Sequence, residues 1–489
     1  MDHGSPSGGQ ASWSELLAAH RLATFVLLCL GVWLNAVDAL VASTIMPSVA
    51  RDIGGYAYFA WATAGYMLGS ILAGAGAGLL AERVGLRRGL ALCGVLYAAG
   101  CVMSALAPGV WPFLAGRLVQ GAGAGFIVGL CYVGVRAQFP ERLWSFMFAS
   151  LSAVWGVATL LGPLMGGLFA EAHFWRGVFW AFGLQAVAFA VVAMIALPTS
   201  DRLPEARRSL PVAQLGLLTL AVALVAAAGV LGRPLAAALT AFAGLALLWI
   251  TLKLDGRSRV RLLPRAAGDL SSAPGLGYAA VLCLSAGAIG FSVYGAALLQ
   301  TRLGLGPLAA GYVVASESIG WTVTALWVAR TPPARRAAMI RVGASLVALG
   351  LAGCALTGSS AGVWPIAASG LAMGGGFGLC WSFVSQRILG GVPEMEGALG
   401  SAAIPTLQIL GNAVGSAMAG VVANLLGFAH GFDRHTADHA APWLFGVFVP
   451  VAGLGGLAAW RLAGLPERDD RRDGMGGGAP ASDDVCSVG

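Results

Sequence analysis

Fourteen apolar runs, each about the 20 residues a bilayer-spanning helix needs, leave this chain few ways to fold. They lie near 22–46, 58–80, 89–108, 111–134, 145–169, 176–197, 211–231, 234–253, 277–300, 307–329, 339–357, 362–386, 401–428 and 442–463. The seventh and eighth form one stretch split at Gly232-Arg233-Pro234, and together they are too long for one crossing. Lipid offers backbone groups no hydrogen-bond partner, so runs of this length must become helices. Composition agrees: 10% of the residues are charged and 58% hydrophobic, whereas soluble domains carry about 25% charged residues. Glycine, at 72 residues, lets helix backbones approach closely in such a bundle. The expected fold class is an all-α integral membrane protein with 14 transmembrane helices.

The basic residues fix a topology. With the N-terminus inside, twenty-three of the 29 Lys and Arg fall on the cytoplasmic side. Arg51, Arg176, Arg233, Arg302 and Arg434 fall outside, and Arg117 stays within a span. That bias places both termini in the cytoplasm. It also explains the net charge of +7 without nucleic acid, since no basic recognition helix is present. Met1–His20 is polar and lacks a small-residue cleavage site, so the first run reads as a retained span. The charged, glycine-rich stretch from Pro466 reads as a disordered tail. The eight cysteines are scattered singly, and Cys486 sits in a poor prenylation box. The only lysine, Lys253, follows Leu252, which rules out a Walker A loop and ATP drive. His430, Asp433, His435, Asp438 and His439 share one outer connection but lack a metalloprotease spacing; they read as a solvated loop, with no metal expected. No soluble segment carries a catalytic order, so the chain reads as no enzyme.

Three charges lie inside apolar runs. Asp38 stands in the run from Leu22 to Met46, where a carboxylate costs roughly 2.5–3.5 kcal/mol on insertion scales. It shares a small, polar face with Gly31, Asn35 and Ala42, suited to helix packing or to a wet cavity. The residues leave two roles open for it, a structural hydrogen bond or a protonatable site. Arg117 precedes Gln120 and Gly121 by one turn and either snorkels or acts within the membrane. Beyond it Gly121, Gly125 and Gly129 form a close-packing face. Glu317 shares a face with Gly320, Trp321 and Thr324; it can attract a cationic aromatic substrate with Trp321, or hydrogen-bond a neighbouring helix. Ser401, Pro405, Gln408, Asn412 and Gly415 form a polar stripe that lines a cavity or joins helices.

Four stretches resemble motifs of the major facilitator superfamily, and they span roughly residues 22–180. GLLAERVGLRRGL, from Gly78 to Leu90, is similar to its signature loop through Gly78, Leu80, Ala81, Arg83, Gly85, Arg88 and Leu90. Glu82 stands where that loop usually has aspartate, and Leu86 where it has a basic residue. Arg117-x-x-Gln120-Gly121 resembles the fourth-helix motif, whose arginine is associated with proton transfer. Gly162-Pro163 followed by Gly166-Gly167 resembles the antiporter motif of the superfamily's exporters, where a bend is expected because Pro163 frees the Thr159 carbonyl. Asp38, with Pro47 nine residues on and then Arg51-Asp52-Ile53-Gly54-Gly55, resembles the pattern of the fourteen-helix drug/proton antiporters.

The resemblance implies two six-helix bundles plus two extra central helices, with a substrate site near the midplane. On that plan 1–20 is an N-terminal tail, 21–200 the first bundle, 201–275 a linker with the extra helices, 276–465 the second bundle and 466–489 the tail. It implies proton-coupled export of small amphipathic or cationic compounds, with Asp38 and Arg117 coupling protons; Glu317, Trp321, Gln408 and Asn412, taken from the residues themselves, are the substrate candidates. Gly78, Glu82, Arg83, Gly85, Arg88, Gly162, Pro163, Gly166 and Gly167 would serve the gates. The proton gradient replaces any cofactor. The partners expected are a small-molecule substrate, protons and the bilayer, around a monomer in a bacterial plasma membrane. A facilitator carrier for one metabolite or siderophore is the nearest alternative, and a non-transporting sensor or scaffold a remote one.

Overall fold

The computed structural model describes residues 13–16, 18–198, 211–328, 331–357 and 362–466. The tail beyond Pro466 with Cys486, the first twelve residues, and Arg202, Arg207, Arg208, Arg330, Arg468, Arg471 and Arg472 lie outside the described residues.

Among the described residues every element is helical. A four-residue turn, α1 (Trp13–Leu16), precedes α2 (Ala19–Ile53), α3 (Phe59–Val84), α4 (Leu86–Ala105), α5 (Val110–Gln138), α6 (Glu141–Glu171) and α7 (Arg176–Ala196). Then come α8 (Val212–Ala228) and α9 (Pro234–Asp255). The last group is α10 (Ala273–Leu303), α11 (Pro307–Val328), α12 (Pro333–Thr357), α13 (Val363–Gly391), α14 (Gly397–Leu425), α15 (Arg434–Gly446) and α16 (Val449–Gly464). Among the described residues twelve spans are long and apolar enough to cross a membrane, with α15 and α16 counting as one. The 17-residue α8 and the 22-residue α11 complete the fourteen crossings read from the sequence.

The helices end where local chemistry stops them. Gly85, at φ 81, closes α3 and opens α4, and its N–H bonds the Ala81 carbonyl at 2.9 Å. A side chain there would be strained, which is why the turn between two long helices falls on glycine. The Ser272 hydroxyl caps α10 by accepting from the Gly275 N–H at 3.1 Å, and Asp433 caps α15 by accepting from Thr436 N–H at 2.7 Å.

Small residues set the packing. α5 lies on α3 and α4, and α13 lies on α11 and α12. A Cβ added at Gly121 or Gly125 would collide with the backbone oxygens of Tyr66 and Ser70, so the glycine face read from the sequence is the α5–α3 seam. On the outside, Leu235, Leu239, Phe242 and Trp249 of α9 are exposed, as a lipid-facing surface requires.

The end at which α2 begins is the near end, and the opposite one the far end. Helices α2, α3 and α6 meet α10, α11 and α14 across a seam that is tied in its far half. There Gln300 donates to the Thr44 carbonyl at 3.5 Å, Tyr312 to the Leu160 carbonyl at 3.1 Å and Ser416 to the Ala60 carbonyl at 3.2 Å. Phe59 stacks on Tyr294 with ring centroids 5.1 Å apart, and Phe432 meets Phe59 edge-on. At the near end Glu15 bridges Arg21 and Arg142, at 3.0 and 2.6 Å. Those partners, Arg142 first, hold the Glu15 carboxyl below the usual carboxylate range.

Candidate functional site

Residue 38 is in the middle of α2, and α2 packs against α5, α6 and α7. That position turns Asp38 inward and leaves it 1% exposed, with Arg117 at 2%. Of the two surroundings open to the polar face, packing is the one found in this state. The sequence offered Asp38 and Arg117 as separate charges, and the fold joins them. Arg117 Nη1 donates to both Asp38 oxygens, at 2.9 and 3.1 Å. The same nitrogen reaches Gln120 Oε1 at 2.8 Å, and Gln120 Nε2 donates to the Tyr97 hydroxyl at 3.2 Å. Tyr97 donates in turn to the Leu34 carbonyl at 3.3 Å. The guanidinium also lies 4.5 Å from the centre of the Tyr66 ring, and Tyr66 donates to Asn35 Oδ1 at 2.8 Å.

Arg117 therefore does not snorkel; it closes a buried network drawn from four helices. Tyr66, Tyr97, Asn35 and Gln120 belong to it, although the sequence pointed to none of the tyrosines. Their only advance signal was a polar tip on an aromatic ring inside a glycine-rich helix. Chemically, the network holds a carboxylate whose charge is balanced by one cation. A proton on Asp38 would leave that cation and its dipolar partners to rearrange, because a buried charge tolerates no loss of its partner.

Glu317 stands apart from this network on α11. Its Oε2 accepts from Ser292 Oγ of α10 at 2.8 Å, and the side chain is half-buried. The face it was expected to share divides. Gly320 meets the Leu371 carbonyl, and Thr324 Oγ1 donates to the Gly375 carbonyl at 2.9 Å, so both serve the seam with α13. Trp321 stacks on Phe377 at 4.9 Å and an interplanar angle of 11°, with Trp381 5.3 Å away. Gln408 and Asn412 are half-buried on α14, while Gly415 of the same stripe packs against α10, as does the neighbouring Gly411.

The residues expected to serve the gates divide between the two ends. Gly162, Gly166 and Gly167 stack α6 against Leu40, Val41 and Leu308, and Pro163 touches Gly311 of α11. The motif thus sits where α2, α6 and α11 converge on the far-end seam, and α6 runs unbroken through Pro163. Gly78, Glu82, Arg83, Gly85 and Arg88 lie at the near-end turn of α3 into α4. Among the described residues Glu82 forms no ion pair, and Arg87 Nε is buried without a partner. Of the acids around the start of α15, Asp433 is used as a helix cap and Asp438 pairs with Arg302. No cluster of three or more His, Cys, Asp or Glu able to hold a metal occurs among the described residues. A far-end cleft of about 320 Å³, between Arg51, His173 and Arg176, lies away from the Asp38 network.

Residues 28–404 match the model of the Major Facilitator Superfamily. The chain belongs to that superfamily. It is 32% identical to a probable multidrug-efflux transporter of Mycobacterium tuberculosis over 92% of this chain and 96% of the relative. An uncharacterised MFS-type transporter of the same organism is 29% identical over 63% of this chain and 44% of its own. Among solved structures, a D-xylose–proton symporter matches at a TM-score of 0.64 and 18% identity, covering 92% of this chain and 99% of that one. A bacterial homologue of the human lysosomal transporter Spinster matches at 0.65 and 14%, covering 91% and 97%. These two likenesses share the fold. The chain is thus a multi-pass membrane transporter of a superfamily that carries small molecules and is not enzymatic.

Proposed function

We propose that this transporter exports small amphipathic or cationic compounds in exchange for protons, by alternating access. The buried Asp38–Arg117 pair carries the reading: a titratable group balanced by one cation is a two-state element that a proton can bias. The near full-length relationship to a probable multidrug-efflux transporter supports export of drug-like substrates. The far-end seam at Gly162–Gly167 supports a sealed outer gate in this state. The two halves that move are residues 21–200 and 276–465, with 201–275 inserted between them. The arginine bias puts the near end in the cytoplasm of a bacterial cell, at its plasma membrane.

In this cycle Asp38 takes a proton when the seam opens outward and releases it inward. Each protonation state favours one arrangement of the Arg117 network. Glu317, beside the Trp321–Phe377–Trp381 aromatic group, draws cationic rings through charge and cation–π attraction. Inverted vesicles offered a panel of cationic and neutral aromatic compounds test this. Glu317→Gln should weaken cationic substrates at least tenfold more than neutral ones, a difference of about 1.4 kcal/mol. Equal losses across the panel would refute the role of Glu317.

A further inference from the structure

The pair α8–α9 has so far no role. Its helices pack on each other where Gly244 meets the Ala221 carbonyl and Val225. The tip of α8 then enters the crease between α3 and α14. Val225 and Ala226 pack with Ala417 of α14, and Trp61 and Met418 close around them. Ala228 and Ala241 pack with Val421. Two polar side chains complete the junction. Trp61 Nε1 of α3 donates to the Ala226 carbonyl at 3.1 Å. Asn424 Nδ2 of α14 donates to the Gly229 carbonyl at 2.9 Å and to the Ala57 carbonyl, just before α3, at 2.7 Å. One amide thus joins the insert, the first half and the second half at the far end.

The near end of the insert is tied differently. Asp255, at the end of α9, accepts from the Leu262 and Leu263 N–H groups at 2.7 and 2.9 Å, and Gln214 of α8 donates to the Val260 carbonyl at 2.9 Å. The connection folded in this way reaches the start of α14. Arg261 Nη2 meets Glu396 Oε1 at 2.8 Å, and the Arg265 N–H meets Glu396 Oε2 at 3.0 Å. These bonds fasten the insert to α14 at the far end and to the turn before α14 at the near end, and they tie it to α3 at the far end. Asn424 Oδ1 is also buried with no hydrogen-bond partner, so this state falls one bond short at the junction.

We infer that the inserted helix pair travels with the second half and straps the far end shut, with Asn424 as the positioning residue and Trp61 its breakable contact. The inference rests on the alternating-access reading above. When the far end opens, the Asn424–Ala57 and Trp61–Ala226 bonds part, while Asn424–Gly229 and Arg261–Glu396 persist. Removing the Asn424 amide costs the Gly229 bond in both states but the Ala57 bond only in the closed one, so it shifts the conformational balance toward open.

Three spin-label sites at the far end separate the possibilities: Leu106 on the first half, Leu235 on α9 and Leu356 on the second half, all exposed. Pairwise distances would be measured on the full chain in proteoliposomes at about pH 5.5 and about pH 8.5, which populate different states of a proton-linked cycle. The expected result is an unchanged 235–356 distance, with 106–235 and 106–356 lengthening together. A fixed 106–235 distance with a changing 235–356 distance would show the insert travelling with the first half and overturn the inference. A fixed 106–356 distance would instead bring down alternating access, and the inference with it. Asn424→Ala should move the closed-to-open ratio roughly fivefold toward open, the size set by losing one net hydrogen bond from the closed state. The milder Trp61→Phe should move it the same way by less. Unchanged ratios in both variants would remove Asn424 and Trp61 from the strap.

Discussion

At the scale of residues, the account turns on one pair. Asp38 and Arg117 are each almost fully buried, and each is the other's only counter-charge among the described residues. Removing one partner of such a pair costs about 3–5 kcal/mol, whereas replacing both by neutral groups of similar shape is often nearly neutral. Arg117→Ala should therefore sharply lower thermal stability in detergent. The double variant Asp38→Asn/Arg117→Gln should recover most of it without recovering coupled transport. If Arg117→Ala is as stable as the parent, the pair is not the structural unit described. The sequence showed both charges and left the pairing hidden: they are 79 residues apart, and spacing along one helix says nothing of what faces it across a bundle. Tyr66 and Tyr97 were missed for the same reason.

Among the helices, glycine decides which surfaces can touch. Gly121 leaves no room for a methyl group beneath Tyr66, while a Cβ at Gly216 of α8 meets nothing within 4 Å. Gly121→Ala should cost about 1–3 kcal/mol through overpacking and backbone displacement. Gly216→Ala should be neutral or gain up to about 1 kcal/mol from helix propensity. Unfolding midpoints of the two variants check this, and equal shifts would mean that the α3–α5 seam is looser than described. This seam was legible in the sequence because a four-residue glycine repeat marks a helix face without help from any partner. The face of Glu317 was less legible. Gly320, Trp321 and Thr324 share helical spacing with it, but Thr324 and Gly320 went to the α13 seam and Glu317 to Ser292, because a helix in a bundle has more than one neighbour. Gly162–Gly167 was read as a bend and a gate motif, and its glycines also lie where α2, α6 and α11 converge, which spacing along one helix cannot show.

Seen whole, the molecule was legible as fourteen crossings because lipid leaves an apolar run only one way to satisfy its backbone. Chain order and span count could not show which end of the seam is tied or where the inserted pair lies. Those depend on contacts such as Gln300 to Thr44 and Asn424 to Ala57, between residues 256 and 367 positions apart. On the exchange proposed above, a far-end seam bonded through backbone carbonyls, with the Asp38 network buried behind it, is the outward-closed half of the cycle. Opening the seam must give Asp38 access to the outer solution if protons drive export. The direct measurement is substrate-induced proton movement in proteoliposomes holding an imposed pH gradient, comparing the parent chain with Asp38→Asn. The account predicts that substrate discharges the gradient through the parent, while the variant moves substrate only down its own gradient and moves no protons. Proton movement undiminished in Asp38→Asn would contradict it.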